Sequence, residues 1–380
     1  VSPHGLARRL RAAGLDLGFD QVGFAPAAEP PNAAAYRAWL DRGWHGEMSY
    51  MAREDAVRRR LDPGEALPGC RTIIIVSLSY APRDSRTPEG AEQPVVARYA
   101  RGRDYHGVFE ERLAALARIV EELDADARTL PYVDYGPVLE RDHAQRAGLG
   151  WIGKNTMLID PTLGSYLLLG ALLTTLEVPP DDAFTEDRCG TCVRCIDACP
   201  TGAIRWPRGL DARLCISYLT IELRGEIPVE LRPLIGNRIF GCDICQEVCP
   251  WNDGAPAGSA EELMATDPSV TVGSARKTIP GRPIPPERMI EWAEELLELT
   301  DEAYRSRYRE TAFARPGRDG MLRNLCVGLG NSGRRDVVPI LRRCLQDRSA
   351  LVGEHAAWAL RRLGAASGLR THPSPRSIAT

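Results

Sequence analysis

Eight of the eleven cysteines in this 380-residue chain fall at spacings that leave few folds open. The run Cys189-x2-Cys192-x2-Cys195-x3-Cys199-Pro200 has the form used by bacterial ferredoxins. Cys242-x2-Cys245-x3-Cys249-Pro250 repeats its second half, and Cys215 stands alone between the two. A four-iron cluster takes four thiolates, and in two-cluster ferredoxins the last cysteine of each run crosses to the other cluster. On that rule one 4Fe-4S cluster takes Cys189, Cys192, Cys195 and Cys249, and a second takes Cys199, Cys215, Cys242 and Cys245. Zinc also uses paired C-x2-C, but a full four-cysteine run with its trailing proline, given twice in part, selects iron–sulfur. The long stretch from Cys215 to Cys242 is expected to loop out as an insertion. Cys70, Cys326 and Cys344 lie outside the constellation and are expected to be small buried residues.

The length calls for two or three domains. Residues 1–180 read as α/β, with helices at Gly5–Ala13, Ala34–Arg42 and Tyr105–Leu123. Strands are expected at Thr72–Ser77, Leu130–Val133 and within Tyr166–Val178. Residues 181–260 carry the cysteines and have little room for a core of their own, so metal must help fold them. Residues 261–315 read as a connector with one helix at Pro286–Leu299. Residues 316–366 read as short helices, Gly320–Leu329, Val337–Gln346 and Leu351–Leu363, with the look of HEAT-type repeats. Residues 367–380 are expected to be a disordered tail. No stretch reaches the ~20 apolar residues of a membrane helix, and no apolar segment follows Arg8 and Arg9, so no membrane partner and no secretory signal are expected. Cysteines at metal spacing belong in a reducing compartment, which points to the cytoplasm.

Two clusters make an electron wire, and the first 180 residues are the place for whatever receives the electrons. Asp134 ends a strand and opens a Gly136-Pro137 turn; by itself it reads as a turn or cap residue. Glu140-Arg141-Asp142 and the glycines at 148, 150 and 153 follow, but their spacing is not a dinucleotide fingerprint. Asp104-Tyr105-His106 suggests a cobalt-ligating D-x-H-x-x-G, but Phe109 stands where the final glycine belongs. His106 therefore reads as a helix-start residue.

Longer segments resemble one family. Tyr132-Val-Asp134-Tyr-Gly-Pro-Val-Leu-Glu140-Arg141 and Ala147-Gly-Leu-Gly-Trp-Ile-Gly-Lys154-Asn155-Thr are similar to epoxyqueuosine reductases. So are Cys215-Ile-Ser217-Tyr-Leu-Thr220-Ile-Glu222, Gly241-Cys-Asp243-Ile-Cys-Gln246, Arg98-Tyr99-Ala-Arg101 and Glu354-His-Ala-Ala-Trp358. The resemblance runs from about Gly18 to Leu363. It implies an N-terminal cobalamin-binding domain, a ferredoxin-like two-cluster module and C-terminal HEAT-like helices. It implies an enzyme that reduces the epoxide of epoxyqueuosine at the tRNA wobble position, the last step of queuosine biosynthesis. Asp134 matches the family's proton donor. Arg60, Asp134, Lys154, Asn155, Ser217 and Asp243 are the implied cobalamin contacts, and no histidine is implied beneath the cobalt. Tyr135 departs from the pattern, where a small hydroxyl residue is expected.

The implied chemistry needs two electrons, two protons and an acid for the leaving oxygen; Asp134 suits that role if burial raises its pKa. An external low-potential electron donor and a monomeric enzyme are expected. The net charge of −3 is at odds with an RNA substrate, but the C-terminal helices carry Arg315, Arg318, Arg323, Arg334, Arg335, Arg342, Arg343, Arg348, Arg361 and Arg362, and Arg58-Arg59-Arg60 adds a second basic cluster. The alternatives are another corrinoid iron–sulfur reductase, such as a reductive dehalogenase, and a non-enzymatic two-cluster electron carrier.

Overall fold

The computed structural model describes residues 2–82, 94–206, 208–263 and 286–365. The expected tail at 367–380 and residues 264–285 of the expected connector lie outside the described residues. Four strands form the main sheet: β1 (Gln21–Pro26), β2 (Thr72–Ser79), β3 (Thr129–Tyr132) and β4 (Leu167–Thr174). Their order is β1-β2-β4-β3, and every pairing is antiparallel. β2 is central and fully buried along its length, which is why its sequence is a continuous β-branched run rather than an alternating one. Ile74, Val76 and Leu78 pack on one face with Phe109, Leu113 and Leu116. Ile73 and Ile75 pack on the other with Ala144, Ala147 and Leu149. Each such fully buried side chain contributes about 1.5–3 kcal/mol of transfer free energy.

The helix Tyr105–Leu123 starts where Asp104 caps it, accepting from the His106 amide at 3.0 Å. Its buried residues Tyr105, Phe109, Leu113, Leu116 and Val120 fall three or four apart and form the face laid on the sheet. β1 and the helices Glu54–Leu61 and Glu140–Arg146 have no counterpart among the expected elements. Each is too short for its periodicity to stand out.

The cysteine segment differs from expectation. Residues 216–241 do not loop out: they form the helices Ile216–Ile221 and Arg232–Ile235 and the strand Arg238–Phe240. Nor does the segment lack a core. Ile216, Leu219, Ile227, Ile235, Ile239 and Phe240 share one with Met289, Leu322, Leu325, Leu329 and Leu360 from the C-terminal helices. The apolar residues on either side are too sparse to form separate cores, and packing them together solves both shortages. The helix Gly317–Asn331 packs against Ala350–Arg362 and Val338–Cys344.

That packing also corrects the arginine reading. Arg318 is 2% exposed and pairs with Asp347 at 2.6 Å, and Arg323 is fully buried among backbone carbonyls. Neither is free for phosphate. Arg343 pairs with Glu294 and Glu298, and Arg348 with Asp301. Cys326 and Cys344 are buried in the same core; Cys70 is only partly buried. Among the described residues no helix is long and apolar enough to cross a membrane.

Candidate functional site

The eight thiols fall into two sets. Cys249 has Cys189, Cys195 and Cys192 as its electrostatic neighbours, and these four line one cavity with Lys154, Asn155 and Trp251. Cys245 neighbours Cys242 and Cys215, and Cys215 neighbours Cys199. Cys195 also lies within reach of Cys245, so the sets are adjacent. Burial pushes Cys249 up to about 11 and Cys242 to about 12, and the thiol of Cys245 well above its ordinary value. Thiolates crowded there persist only beside a bound cation, as metal ligands do. Among the described residues no group of three or more His, Cys, Asp or Glu side chains is gathered tightly enough to hold a single ion. Thiols spread around a cavity fit a larger iron–sulfur core instead.

Four of the expected cofactor contacts hold this module together. Lys154, 4% exposed, donates to the carbonyls of Gly190 at 2.6 Å and Cys192 at 2.9 Å. Asn155 reaches the Cys245 carbonyl at 3.4 Å. The buried carboxylate of Asp243 accepts from the Arg98 amide at 2.7 Å. Ser217 hydrogen-bonds the Cys215 sulfur.

Asp134 lies on the turn that leaves β3, with φ of 51°, a left-handed conformation that aspartate tolerates better than most residues. Gly136 makes the turn possible, because a Cβ there would sit 2.4 Å from the Tyr132 ring. Asp134 Oδ2 accepts from the Tyr105 hydroxyl at 2.6 Å. Burial and the adjacent carboxylate push that phenol well above its ordinary value, so it stays a donor. His106 Nε2 is 3.8 Å from the same oxygen, and its Nδ1 is engaged with Asp104 at 2.7 Å. The burial expected of Asp134 is absent: its side chain is 57% exposed, because the turn projects it into an open cleft.

A second, half-buried acid is a neighbour. Burial, then the charge of Asp134, pushes Glu140 up to about 8, and its Oε1 is sealed without a hydrogen-bond partner. Arg60, 5% exposed, lies within electrostatic reach of Glu140 and bonds Tyr36. Across the cleft Arg315 pairs with Glu222 at 2.5 Å and with the Tyr50 hydroxyl at 3.1 Å, and Asp134 lies within reach of both Arg315 and Tyr50. The partly buried Tyr99 has both Asp134 and Asp243 as electrostatic neighbours, linking the acid to the second thiol set.

The sequence grouped Arg60, Asp134, Lys154, Asn155, Ser217 and Asp243 as contacts of one cofactor; the structure gathers Asp134 and Arg60 around Glu140 and places the other four in the cysteine module. Sequence reasoning missed Tyr105, Tyr99 and Glu140 as members of the site, although Tyr99 and Glu140 stand in the segments that carried the resemblance and Tyr105 lies four residues beyond one of them. A hydroxyl at the start of a helix, adjacent to a motif already in view, was the available signal for Tyr105.

Residues 60–135 match the family described as epoxyqueuosine reductase QueG, DUF1730, and residues 188–252 match a 4Fe-4S double cluster binding domain. A protein of Pseudomonas aeruginosa named epoxyqueuosine reductase is 41% identical over 95% of this chain and 96% of its own length. One of Escherichia coli strain K12 with the same name is 39% identical over 93% and 89%. A crystal structure of epoxyqueuosine reductase with an epoxyqueuosine-modified tRNA stem loop superposes with a TM-score of 0.79 at 29% identity, covering 96% of this chain and 91% of the other. The Bacillus subtilis enzyme, captured with its catalytic loop swung out of the active site, gives 0.77 at 28%, covering 95% and 91%. With identities of 41% and 39% along nearly its whole length, this chain belongs to the epoxyqueuosine reductase family.

Proposed function

We propose that this protein reduces the epoxide of epoxyqueuosine at the wobble position of tRNA, giving queuosine: two electrons and two protons convert the epoxide to an alkene and water. The observation that carries the reading is Asp134, presented in an open cleft by a left-handed turn and held by Tyr105 at 2.6 Å, beside a double-cluster module in a chain of this family.

The two thiol sets are the ligands of two 4Fe-4S clusters, Cys189, Cys192, Cys195 and Cys249 for one and Cys199, Cys215, Cys242 and Cys245 for the other. Cobalamin belongs between the sheet and this module. Its amide-bearing rim fits buried polar atoms left without partners there, Glu140 Oε1 and His45 Nδ1. The loop carrying His45 reaches across to the module: Ala212 N donates to Trp44 O at 3.0 Å, and Glu47 N to Tyr218 Oη at 2.7 Å. When bound, the clusters supply electrons singly and the corrin a centre that can hold two.

The protein's own work is protonic and positional. Tyr105 fixes Asp134 Oδ2, which leaves Oδ1 as the atom that serves the departing oxygen in the acid role. Without a proton the oxygen would leave as an alkoxide. His106, tied to Asp104, adds a second polar group beside the same oxygen as Tyr105. Arg60 and Glu140 support the floor beside it. The helices from Gly317 onward form a HEAT-like unit, and the exposed Arg361 and Arg362 belong to its RNA-facing surface. The protein acts as a cytoplasmic monomer fed by an external low-potential donor.

The test is turnover. Protein prepared without oxygen, given cobalamin and a low-potential reductant, is incubated with tRNA bearing epoxyqueuosine, which is digested to nucleosides and weighed. Loss of one oxygen from the modified nucleoside, dependent on cobalamin and abolished by Asp134→Asn with clusters retained, supports the reading. No conversion by protein holding both clusters and cobalamin overturns it.

A further inference from the structure

Next to Asp134 stands a residue that the proposed chemistry does not use. Tyr135 is 58% exposed, among the most exposed large side chains of the described residues. Its ring is not free to wander. It lies nearly parallel to His106, at 22° and 5.7 Å between centroids, and His106 in turn lies on Tyr105 at 27° and 4.1 Å. Three rings therefore form a stack that begins at the buried phenol holding Asp134 and ends in solvent. The outer ring is pinned at its edge as well, its hydroxyl donating to Glu110 at 2.9 Å. Within electrostatic reach of Asp134 lies also Tyr50, 39% exposed, with the Arg315 guanidinium 6.0 Å from its ring centre. An exposed acid is thus flanked by exposed aromatic rings.

Single surface aromatics are common and need no explanation. A pre-ordered stack ending within one residue of the proton donor is a different arrangement. Unpaired RNA bases are bound by stacking on aromatic faces, and a ring already held in place loses little entropy when a base settles on it. We infer that Tyr135 is the outer ring of a stacking platform that takes an unstacked nucleobase of the anticodon loop, at or beside the modified position. The inference rests on the proposed tRNA substrate. It makes Tyr135 a positioning residue: the base it holds sets where the reacting ring lies relative to Asp134.

Anticodon stem-loops carrying the fluorescent base 2-aminopurine at each of the three anticodon positions in turn provide the test. Wild-type protein should quench one of them on binding. Tyr135→Ala should abolish that quenching and weaken binding about tenfold, a typical loss for one base–aromatic stack. Tyr135→Phe should retain both, because it loses only the bond to Glu110. Iron content and circular dichroism matching wild type establish that the alanine variant is folded. Quenching and affinity unchanged in Tyr135→Ala overturn the inference, and so does equal damage from Tyr135→Phe. Turnover of epoxyqueuosine tRNA by wild type, measured alongside, separates the two readings. Turnover without Tyr135-dependent quenching removes the platform alone. Tyr135-dependent quenching without turnover removes the proposed substrate chemistry alone.

Discussion

Arg323 joins the helices after Cys215 to the C-terminal helices, and replacing it by methionine tests how. The side chain is fully buried. Nη1 donates to the carbonyls of Leu223 and Gly225, both at 2.8 Å, and Nη2 to that of Leu219 at 2.7 Å. No carboxylate is hydrogen-bonded to it, and burial, then repulsion from Arg224, pushes the guanidinium down to about 10. Holding the charge there costs about 3 kcal/mol at 1.36 kcal/mol per pH unit. Hydrogen bonds from a charged donor contribute about 1.5–3 kcal/mol each, or roughly 5–9 for three carbonyls. The difference favours arginine by about 2–6 kcal/mol. Methionine fills much of the volume but leaves three carbonyls buried and unpaired. An unfolding entropy of about 2.1 cal/mol/K per residue turns that loss into a fall in Tm of ~3–8 °C if the chain unfolds as a unit. Anaerobic thermal denaturation of the iron-loaded protein measures it. A Tm equal to or above wild type would refute the accounting, since buried charge networks replaced by apolar residues sometimes gain stability.

Other consequences are equally direct. Tyr105→Phe removes the donor to Asp134 Oδ2 and should slow turnover by about tenfold or more, with iron content unchanged; full activity would show the bond to be incidental. Cys249→Ser should leave about half the iron, because each cluster draws on its own four cysteines; paired with Cys189→Ser, spectroscopy should find the same cluster missing in both, and loss of opposite clusters would refute the crossing. His355 accepts from the Ile227 amide at 3.2 Å, and burial pushes it down to about 3. The folded chain keeps it neutral while the unfolded chain binds a proton below about 6.5, so its contribution is full above that pH and lost as pH falls towards 3. The loss is about 2 kcal/mol by pH 5. Tm should therefore fall less steeply from pH 8 to pH 5 in His355→Leu than in wild type, and equal slopes would refute this.

The parts legible in the sequence are those where local chemistry leaves no choice. A cluster ligand must be a thiolate, so the cysteine runs declare themselves by spacing alone. A helix nineteen residues long with a capping Asp104, or a strand of unbroken β-branched residues, carries its period and its ends within one window. The tight turn at Asp134 is likewise written in its glycine and proline. What tertiary structure decided is everything that depends on residues distant in the chain. Arg318 and Arg323 look like surface cations until Asp347 and the carbonyls of Leu219, Leu223 and Gly225 close around them. The cysteine segment looks core-poor until the C-terminal helices supply the other half of its core. Asp134 was expected to be buried, yet folding exposed it, and the acid whose oxygen is sealed and whose pKa is pushed up is Glu140 instead. Burial and electrostatic environment are sums over neighbours in space, and a single chain of letters specifies those neighbours only through the fold.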